Sequence, residues 1–178
     1  MDETTQPVAA ASSSKKWLYI GLSVFALIII GFMFTGGGPL GSAYFAGPGV
    51  DVDRNIDGTA TYSNDEGSVT VGSGASMPSN WPSDAPTAYT GATILYSGST
   101  NPTTGESGSA VAYNTTASLQ SVMEYYSARL RAEGWTVEAN TQMAGMNVIT
   151  AKKDTRVFGA YVADAGNGVV NVTAGVQF

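Results

Sequence analysis

Residues 118–135 read SLQSVMEYYSARLRAEGW, and this stretch decides how the sequence around it folds. Its apolar side chains recur every three or four residues, which is the spacing of one face of an α-helix. They are Leu119, Val122, Met123, Tyr126 and Leu130. Ser118 or Thr116 is a suitable N-cap, and Gly134 is suited to end the helix in a left-handed conformation. We therefore predict one amphipathic helix, whose apolar stripe must be covered by another layer.

Short apolar segments on both sides of this helix are typical of β-strands. The predicted strands are residues 93–97, 109–114, 135–140, 147–153, 156–163 and 168–178. The last of them alternates cleanly, with Val172, Ala174 and Val176 on one face, so that face is expected to be buried. These elements predict an α+β fold over residues 77–178, in the order β-β-α-β-β-β-β. A single antiparallel sheet would be covered on one face by the helix.

The N-terminal part contains an uncharged apolar run at residues 17–35, WLYIGLSVFALIIIGFMFT. A helix of about 20 apolar residues spans the hydrocarbon core of a bilayer. Lys15 and Lys16 precede the run, and positive residues stay on the cytoplasmic side. The pattern predicts a single-pass helix in the cytoplasmic membrane, with the C-terminal domain in the periplasm or exterior. A signal peptide cleaved after Ala43 is the alternative, although the run exceeds the usual length of about 7–15 residues.

Three further segments complete the predicted organisation. Residues 1–16 form a disordered cytoplasmic tail, and residues 36–57 form a Gly- and Pro-rich stalk. Residues 58–76 contain a short β-hairpin and a linker, with strands at 59–62 and 68–71. Because an isolated hairpin is marginally stable in water, this one either packs on the main domain or stays loosely ordered.

The composition limits the chemistry that this chain can perform. The sequence contains neither cysteine nor histidine. Disulfides, thiolate metal ligands and Ser-His-Asp or Cys-His catalysis are therefore excluded. The net charge of −6 disfavours nucleic acid as a partner, since binding to phosphates requires clustered Lys and Arg. Lys152, Lys153 and Arg156 form the one basic cluster, which is typical of a solvated hairpin turn.

A proline-rich segment precedes the first predicted strand of the domain. It contains Trp81-Pro82, Asp84, Pro86 and Tyr89, and the helix downstream ends in Gly134-Trp135. This order resembles that of a group of uncharacterised bacterial envelope proteins with an N-terminal anchor and a small α+β domain. The resemblance covers about the last two-thirds of the chain. It implies a fold, but it carries no catalytic or ligand-binding residue to this sequence.

The best candidate for a binding site is the run from Asp53 to Gly58, DRNIDG, which matches the first half of a calcium loop. The oxygens of Asp53, Asn55 and Asp57 can converge on a hard cation such as Ca²⁺. The second half does not match, because Asn64 occupies the position of the bidentate Glu. A linker rich in Asp, Asn and Gly also produces this match by composition alone. No other cofactor is predicted.

Other residues were considered for binding or catalysis. Tyr125 is expected at the surface, as part of an interaction patch, whereas the other aromatic residues of the strap and helix are expected to pack in the core. Asp84, Glu124, Glu133 and Glu138 are the carboxylates that a glycoside hydrolase would need, but the sequence gives them no common site. Two Asn-X-Thr motifs fit the pattern of N-glycosylation. They begin at Asn114 and Asn171.

Two functional hypotheses follow. The first is a membrane-anchored, non-catalytic interaction or structural module of the cell envelope, bound to the bilayer through residues 17–35 and to an unknown envelope protein or glycan. It predicts an exposed apolar or aromatic patch that includes Tyr125, or an open sheet edge. The second is a module that binds Ca²⁺ or a small envelope molecule, which predicts a pocket or converging oxygens near Asp53, Asn55 and Asp57. A carboxylate-only hydrolase comes third.

Overall fold

The structure, a computed structural model, describes residues 49–65, 67–100, 107–143 and 145–178. These residues form strands and a single helix. The elements are β1 (Asp51–Arg54), β2 (Ala60–Asn64), β3 (Gly67–Val71), β4 (Thr93–Thr100), β5 (Ser107–Thr115), α1 (Leu119–Ala132), β6 (Thr136–Met143), β7 (Met146–Lys153), β8 (Arg156–Gly166) and β9 (Val169–Gln177).

All the strands belong to one antiparallel sheet, in the spatial order β1-β2-β3-β4-β5-β9-β8-β7-β6. Neighbours in the chain are neighbours in the sheet except at the helix, which leads from β5 in the middle of the sheet to β6 at its edge. Strand β9 then enters between β5 and β8 and pairs with both along its length. It therefore joins the strands that precede the helix to those that follow it.

The helix has the ends and the buried face that its sequence predicts. The Ser118 hydroxyl accepts a hydrogen bond from the backbone N–H of Ser121 at 3.1 Å, and Gly134 adopts a φ of 80° just beyond the helix. The helix packs on β6, β7 and β8. Its Tyr126 and Leu130 are fully buried, as is Phe158 of β8. Large side chains thus fill the space between helix and sheet.

Two tyrosines meet inside this core. The hydroxyls of Tyr113 on β5 and Tyr126 on the helix are 3.0 Å apart, and neither side chain is exposed. Burial raises the pKa of Tyr113 to about 12 and that of Tyr126 well above its usual value. A shared hydrogen bond satisfies two hydroxyls that burial would otherwise penalise.

The opposite face of β3, β4 and β5 has a smaller apolar cluster. Val69 and Tyr96 are 4% and 3% exposed, and they pack with the fully buried Ala112 and with Ala110. Strand β3 pairs with β4 directly, with Val69 opposite Gly98. The β2–β3 hairpin is therefore a continuous part of the main sheet.

A strap over residues 75–92 crosses the helix-bearing face of the sheet. Ala85 and Pro86 are buried in the main core. Asn80 ties the strap to the strand ends, because its side chain donates to the carbonyls of Ser99 and Gly108 at 2.6 and 3.0 Å and accepts from the Ser109 hydroxyl at 2.7 Å. The strap thus forms a second boundary beside the helix.

The predicted fold class is wrong in its sheet. The order β-β-α-β-β-β-β counted six strands, whereas the described sheet has nine. The hairpin, for which the sequence left open either packing on the main domain or loose order, pairs with β4. The predicted stalk supplies β1, which pairs with β2 from Asp51 to Arg54. Backbone hydrogen bonding to a neighbour makes these residues a strand although their side chains are all exposed.

The predicted membrane anchor is likewise unsupported. Residues 17–35, and with them the cytoplasmic tail, the Ala43 cleavage site and most of the stalk, lie outside the described residues. Within the described ranges, no helix is both long enough and apolar enough to cross a bilayer. The fold is dominated by β-sheet. The prediction of a single-pass protein located in the cytoplasmic membrane is therefore not supported by the described residues.

Candidate functional site

The helix-bearing face of the sheet changes character between β5 and β4. Val111 on β5 lies directly opposite Ser97 on β4. Ser97 lies opposite Thr70 on β3, and Thr70 lies opposite Thr61 on β2. Directly opposed residues share one face of a sheet. The apolar surface that the helix covers therefore continues as a polar floor, formed by hydroxyl side chains of β2, β3 and β4.

A groove of about 320 Å³ lies over this polar floor. Its volume is at the lower end of the range of about 300–1,000 Å³ that is usual for small-molecule sites. Eight of the described residues that line it carry hydroxyl groups, and one carries a carboxylate. The lining residues are Asn55, Asp57, Thr59, Thr61, Ser68, Thr70, Gly74, Ala75, Ser76, Met77, Pro78, Ser79, Ser97 and Ser99.

The hydroxyls of the floor are paired across the strands. The oxygens of Thr61 and Thr70 are 3.0 Å apart, and those of Ser68 and Ser99 are 3.1 Å apart. The Ser99 hydroxyl is fully engaged, because it also accepts from the backbone N–H of Ser68 at 3.0 Å and donates to the Ser68 carbonyl at 3.3 Å. A hydroxyl has one donor and two acceptor sites, so the contact between Thr61 and Thr70 uses only part of the capacity of each. The pairing fixes the positions of the oxygens, and the remaining sites are available to a ligand.

The turn between β1 and β2 forms one wall of the groove. Asp57 Oδ1 accepts hydrogen bonds from the backbone N–H of Thr59 at 2.9 Å and from its hydroxyl at 2.7 Å. Asn55 Nδ2 donates to the same hydroxyl at 2.9 Å. The hydrogen bonds from Thr59, the backbone one first, lower the pKa of Asp57. The carboxylate is therefore ionised at neutral pH.

The other wall is formed by Gly74 and by the first residues of the strap, 75–79. It reaches the turn through Gly72, where the two segments nearly touch. A Cβ atom at Gly72 would lie 2.9 Å from the Gly58 carbonyl oxygen, and the φ of Gly72 is +123°. Both the close approach and the backbone conformation require glycine at this position. The groove thus has two walls that are held together at one end.

The structure brings together part of the predicted calcium loop. Asn55 and Asp57 line the groove, while Asp53 is an exposed residue of β1 opposite Thr61. Among the described residues, no group of three or more His, Cys, Asp or Glu side chains is placed to hold a metal ion. The turn is closed by hydrogen bonds among Asn55, Asp57 and Thr59. This agrees with the alternative that a segment rich in Asp, Asn and Gly matches the calcium pattern by composition alone. Calcium binding at these three residues stays a prediction.

Tyr125 is half-buried rather than exposed. Its ring makes edge contacts with Tyr89 of the strap and with Tyr126, at centroid distances of 5.3 and 5.4 Å. Its hydroxyl lies 3.3 Å from that of Thr87. Tyr125 therefore packs the strap against the helix, while part of its side chain stays at the surface.

A cluster of charged side chains that the sequence did not predict holds the strap near the end of the helix. Asp84 accepts two hydrogen bonds from Arg156, at 2.7 and 2.8 Å, and one from Lys153 at 2.7 Å. Lys153 also donates to the carbonyl of Glu133, and Arg156 lies over the Trp135 ring. These hydrogen bonds hold the pKa of Asp84 far below its usual range. The one feature of the sequence that pointed to this ionic cluster was an acidic residue, Asp84, within the proline-rich strap.

The carboxylates considered for hydrolysis are engaged separately. Asp84 is bound by Arg156 and Lys153, Glu133 lies 3.5 Å from Arg129, and Glu124 accepts a hydrogen bond from Gln120 at 2.8 Å.

The two Asn residues of the glycosylation motifs are on neighbouring strands, with Asn114 opposite Asn171. The hydroxyl-lined groove therefore brings together more potential ligand-binding groups than these other predicted sites do.

Residues 96–175 match a family model described as START domain-like. The match is less than half of the chain. It covers the region from Tyr96 on β4 to Gly175 on β9, and it includes two groove residues, Ser97 and Ser99. It marks a small domain and identifies no envelope-protein family. Neither a curated protein nor a solved structure matches the chain.

Proposed function

We propose that this protein is a non-catalytic module that binds a polar, polyhydroxylated ligand such as a sugar in the groove between the strap and strands β2 to β4. The convergence of eight hydroxyl side chains on one groove of about 320 Å³ carries the proposal. Serine and threonine hydroxyls donate and accept, as sugar hydroxyls do, so the two sets are complementary. The START domain-like match supports a ligand-binding fold in general terms.

The groove favours binding over catalysis. Of its described lining residues only Asp57 is ionisable, and its oxygen Oδ1 already closes a turn. General acid–base catalysis of glycoside hydrolysis uses two carboxyl groups on either side of the reacting bond. The chain has no histidine or cysteine that could replace them. A lone carboxylate among hydroxyls is suited to hold a ligand.

The interaction-module hypothesis stays a prediction, and the described sheet offers two edges that bear on it. Strand β1 is one edge of the described sheet and β6 is the other. A register shift between Val137 and Ala139 interrupts the ladder between β6 and β7. Bulges of this kind protect edges from pairing with other chains. The groove brings together more potential ligand-binding groups than either edge does, so it is the site that we favour, and the resemblance to envelope proteins adds no residue to it.

Binding is tested by saturation-transfer NMR on the full chain with glucose, maltose and cellobiose. The variant Thr70→Val removes one floor hydroxyl while keeping the side chain's shape. The matched control is Thr141→Val, on the exposed edge strand β6. We expect saturation transfer to at least one sugar, reduced in Thr70→Val and unchanged in Thr141→Val. Absence of transfer to all three sugars, or equal transfer in the two variants, would overturn the proposal.

A further inference from the structure

The groove has acidic groups on one side. Asp57 lines it directly, and the register of β1 against β2 puts Asp53 opposite Thr61 and Asp51 opposite Ser63. Opposed residues share a face, so both β1 carboxylates lie on the face that carries the groove. The neighbouring Arg54 is opposite Ala60 and so projects from the other face. Asp57 is therefore the carboxylate that lines the groove, and two further carboxylates lie on the same face of the sheet, on the neighbouring edge strand β1.

The other basic side chains of the described domain are distant from these carboxylates. Lys152, Lys153 and Arg156 belong to β7 and β8, while Arg129 and Arg131 are on the helix. Six strand spacings separate β8 from β1 in the sheet, which is roughly 29 Å at about 4.8 Å each. The Debye length is about 8 Å at physiological ionic strength. These basic groups are therefore too far away to neutralise the carboxylates of Asp57, Asp53 and Asp51.

We propose that the ligand of this groove is an amino sugar or a related polyol amine, whose protonated amino group is bound by Asp57 and whose hydroxyls are bound by the Thr61–Thr70 floor. The inference rests on the proposed function, and it adds the ligand's charge to it. Asp57 Oδ1 is bonded to Thr59, but a carboxylate has about four acceptor sites. Its remaining sites, chiefly on Oδ2, are the ones that an ammonium group would use.

The test compares glucosamine with glucose and N-acetylglucosamine on the full chain, by NMR titration at pH 6.5 and low salt. Glucosamine has a charged amine, and the other two sugars are neutral. We expect its Kd to be about fivefold lower, because a solvent-exposed ion pair adds a modest gain in affinity. Added salt reduces this preference toward unity, because the pair is screened.

Two variants assign the preference to the groove. Asp57→Asn removes the charge and keeps an oxygen that can accept from Thr59. Asp164→Asn is the matched control, since Asp164 Oδ1 accepts from the backbone N–H of Gly166 at 2.8 Å at the exposed end of β8. We expect Asp57→Asn to bind glucosamine and glucose equally, and Asp164→Asn to retain the fivefold preference.

The possible failures can be told apart. If glucose binds as tightly as glucosamine and its binding falls in Thr70→Val, the amine inference is overturned and the proposed sugar site stands. A glucosamine preference that persists in Asp57→Asn also overturns the inference, because the charge responsible would lie elsewhere. Both proposals fall if glucose and N-acetylglucosamine do not bind and if glucosamine either does not bind or binds equally well to the unchanged protein, Asp57→Asn and Thr70→Val.

Discussion

Asp84 shows how a single carboxylate can decide where a whole segment lies. It binds Lys153 and Arg156, which follow it by 69 and 72 residues. The sequence predicts these basic residues as a solvated turn, and only the fold reveals the acid beside them. Their side chains are about a quarter exposed. The strap is therefore fastened to the β7–β8 hairpin by partly buried ionic hydrogen bonds.

The first prediction is that Asp84→Asn lowers the free energy of unfolding by about 1–3 kcal/mol at pH 7, because hydrogen bonds to charged groups are lost and two cations are left without their acid. Urea denaturation followed by tryptophan fluorescence measures it. Asp65→Asn, at an exposed turn position, is the control and should stay within about 0.5 kcal/mol of the unchanged protein.

The difference between the two proteins should also depend on pH. The pKa of Asp84 is lowered in the folded state, so its contribution is present above its unfolded pKa of about 3.9 and is lost as the pH falls from there toward its folded pKa. Denaturation of both proteins at pH 7 and pH 3 should show a smaller difference at pH 3. An equal difference at both values would contradict the ionic explanation.

At the scale of the elements, the sequence predicts what local pattern controls. The helix and most strands follow from apolar spacing, and their buried faces agree with it. Strand β1 could not be predicted in this way, since Asp51–Arg54 has no buried side chain and owes its conformation to pairing with β2. The groove was missed for a similar reason. Ser97, Thr70 and Thr61 are ordinary polar strand residues until the register places them side by side.

The second prediction concerns the β2–β3 hairpin. Val69→Ala removes two buried methyl groups from the cluster around Tyr96, so it should lower the global free energy of unfolding by about 1–2 kcal/mol. Val52→Ala, at a side chain that is 36% exposed, is the control and should cost less. If the hairpin were a separate, loosely attached unit, Val69→Ala would leave the main transition unchanged.

For the whole molecule, three buried tyrosines make stability depend on pH in the alkaline range. Burial raises the pKa of Tyr96, Tyr113 and Tyr126, with Tyr113 at about 12. In the unfolded chain a tyrosine ionises near pH 10. The unfolded state therefore releases protons that the folded state keeps, and stability is lost as the pH rises from about 10 through 12.

The third prediction is a loss of about 4 kcal/mol between pH 8 and pH 11, from three tyrosines at about 1.4 kcal/mol each. Urea denaturation followed by circular dichroism at the two pH values measures it. Tyr113→Phe should lose about a third less over the same interval. Tyrosinate absorbance from all nine tyrosines at pH 10.5, with the sheet signal intact, would contradict the explanation.

The position of β9 between β5 and β8 has a consequence during synthesis. When a ribosome has released the chain only as far as β8, two partial sheets exist, β1 to β5 and β6 to β8, and each has an inner edge that awaits the same strand. At about 5–20 residues per second, the residues of β9 follow within a second or two. Until then both edges are open to strands of neighbouring nascent chains, so crowded polysomes are where this protein is most exposed to misassembly.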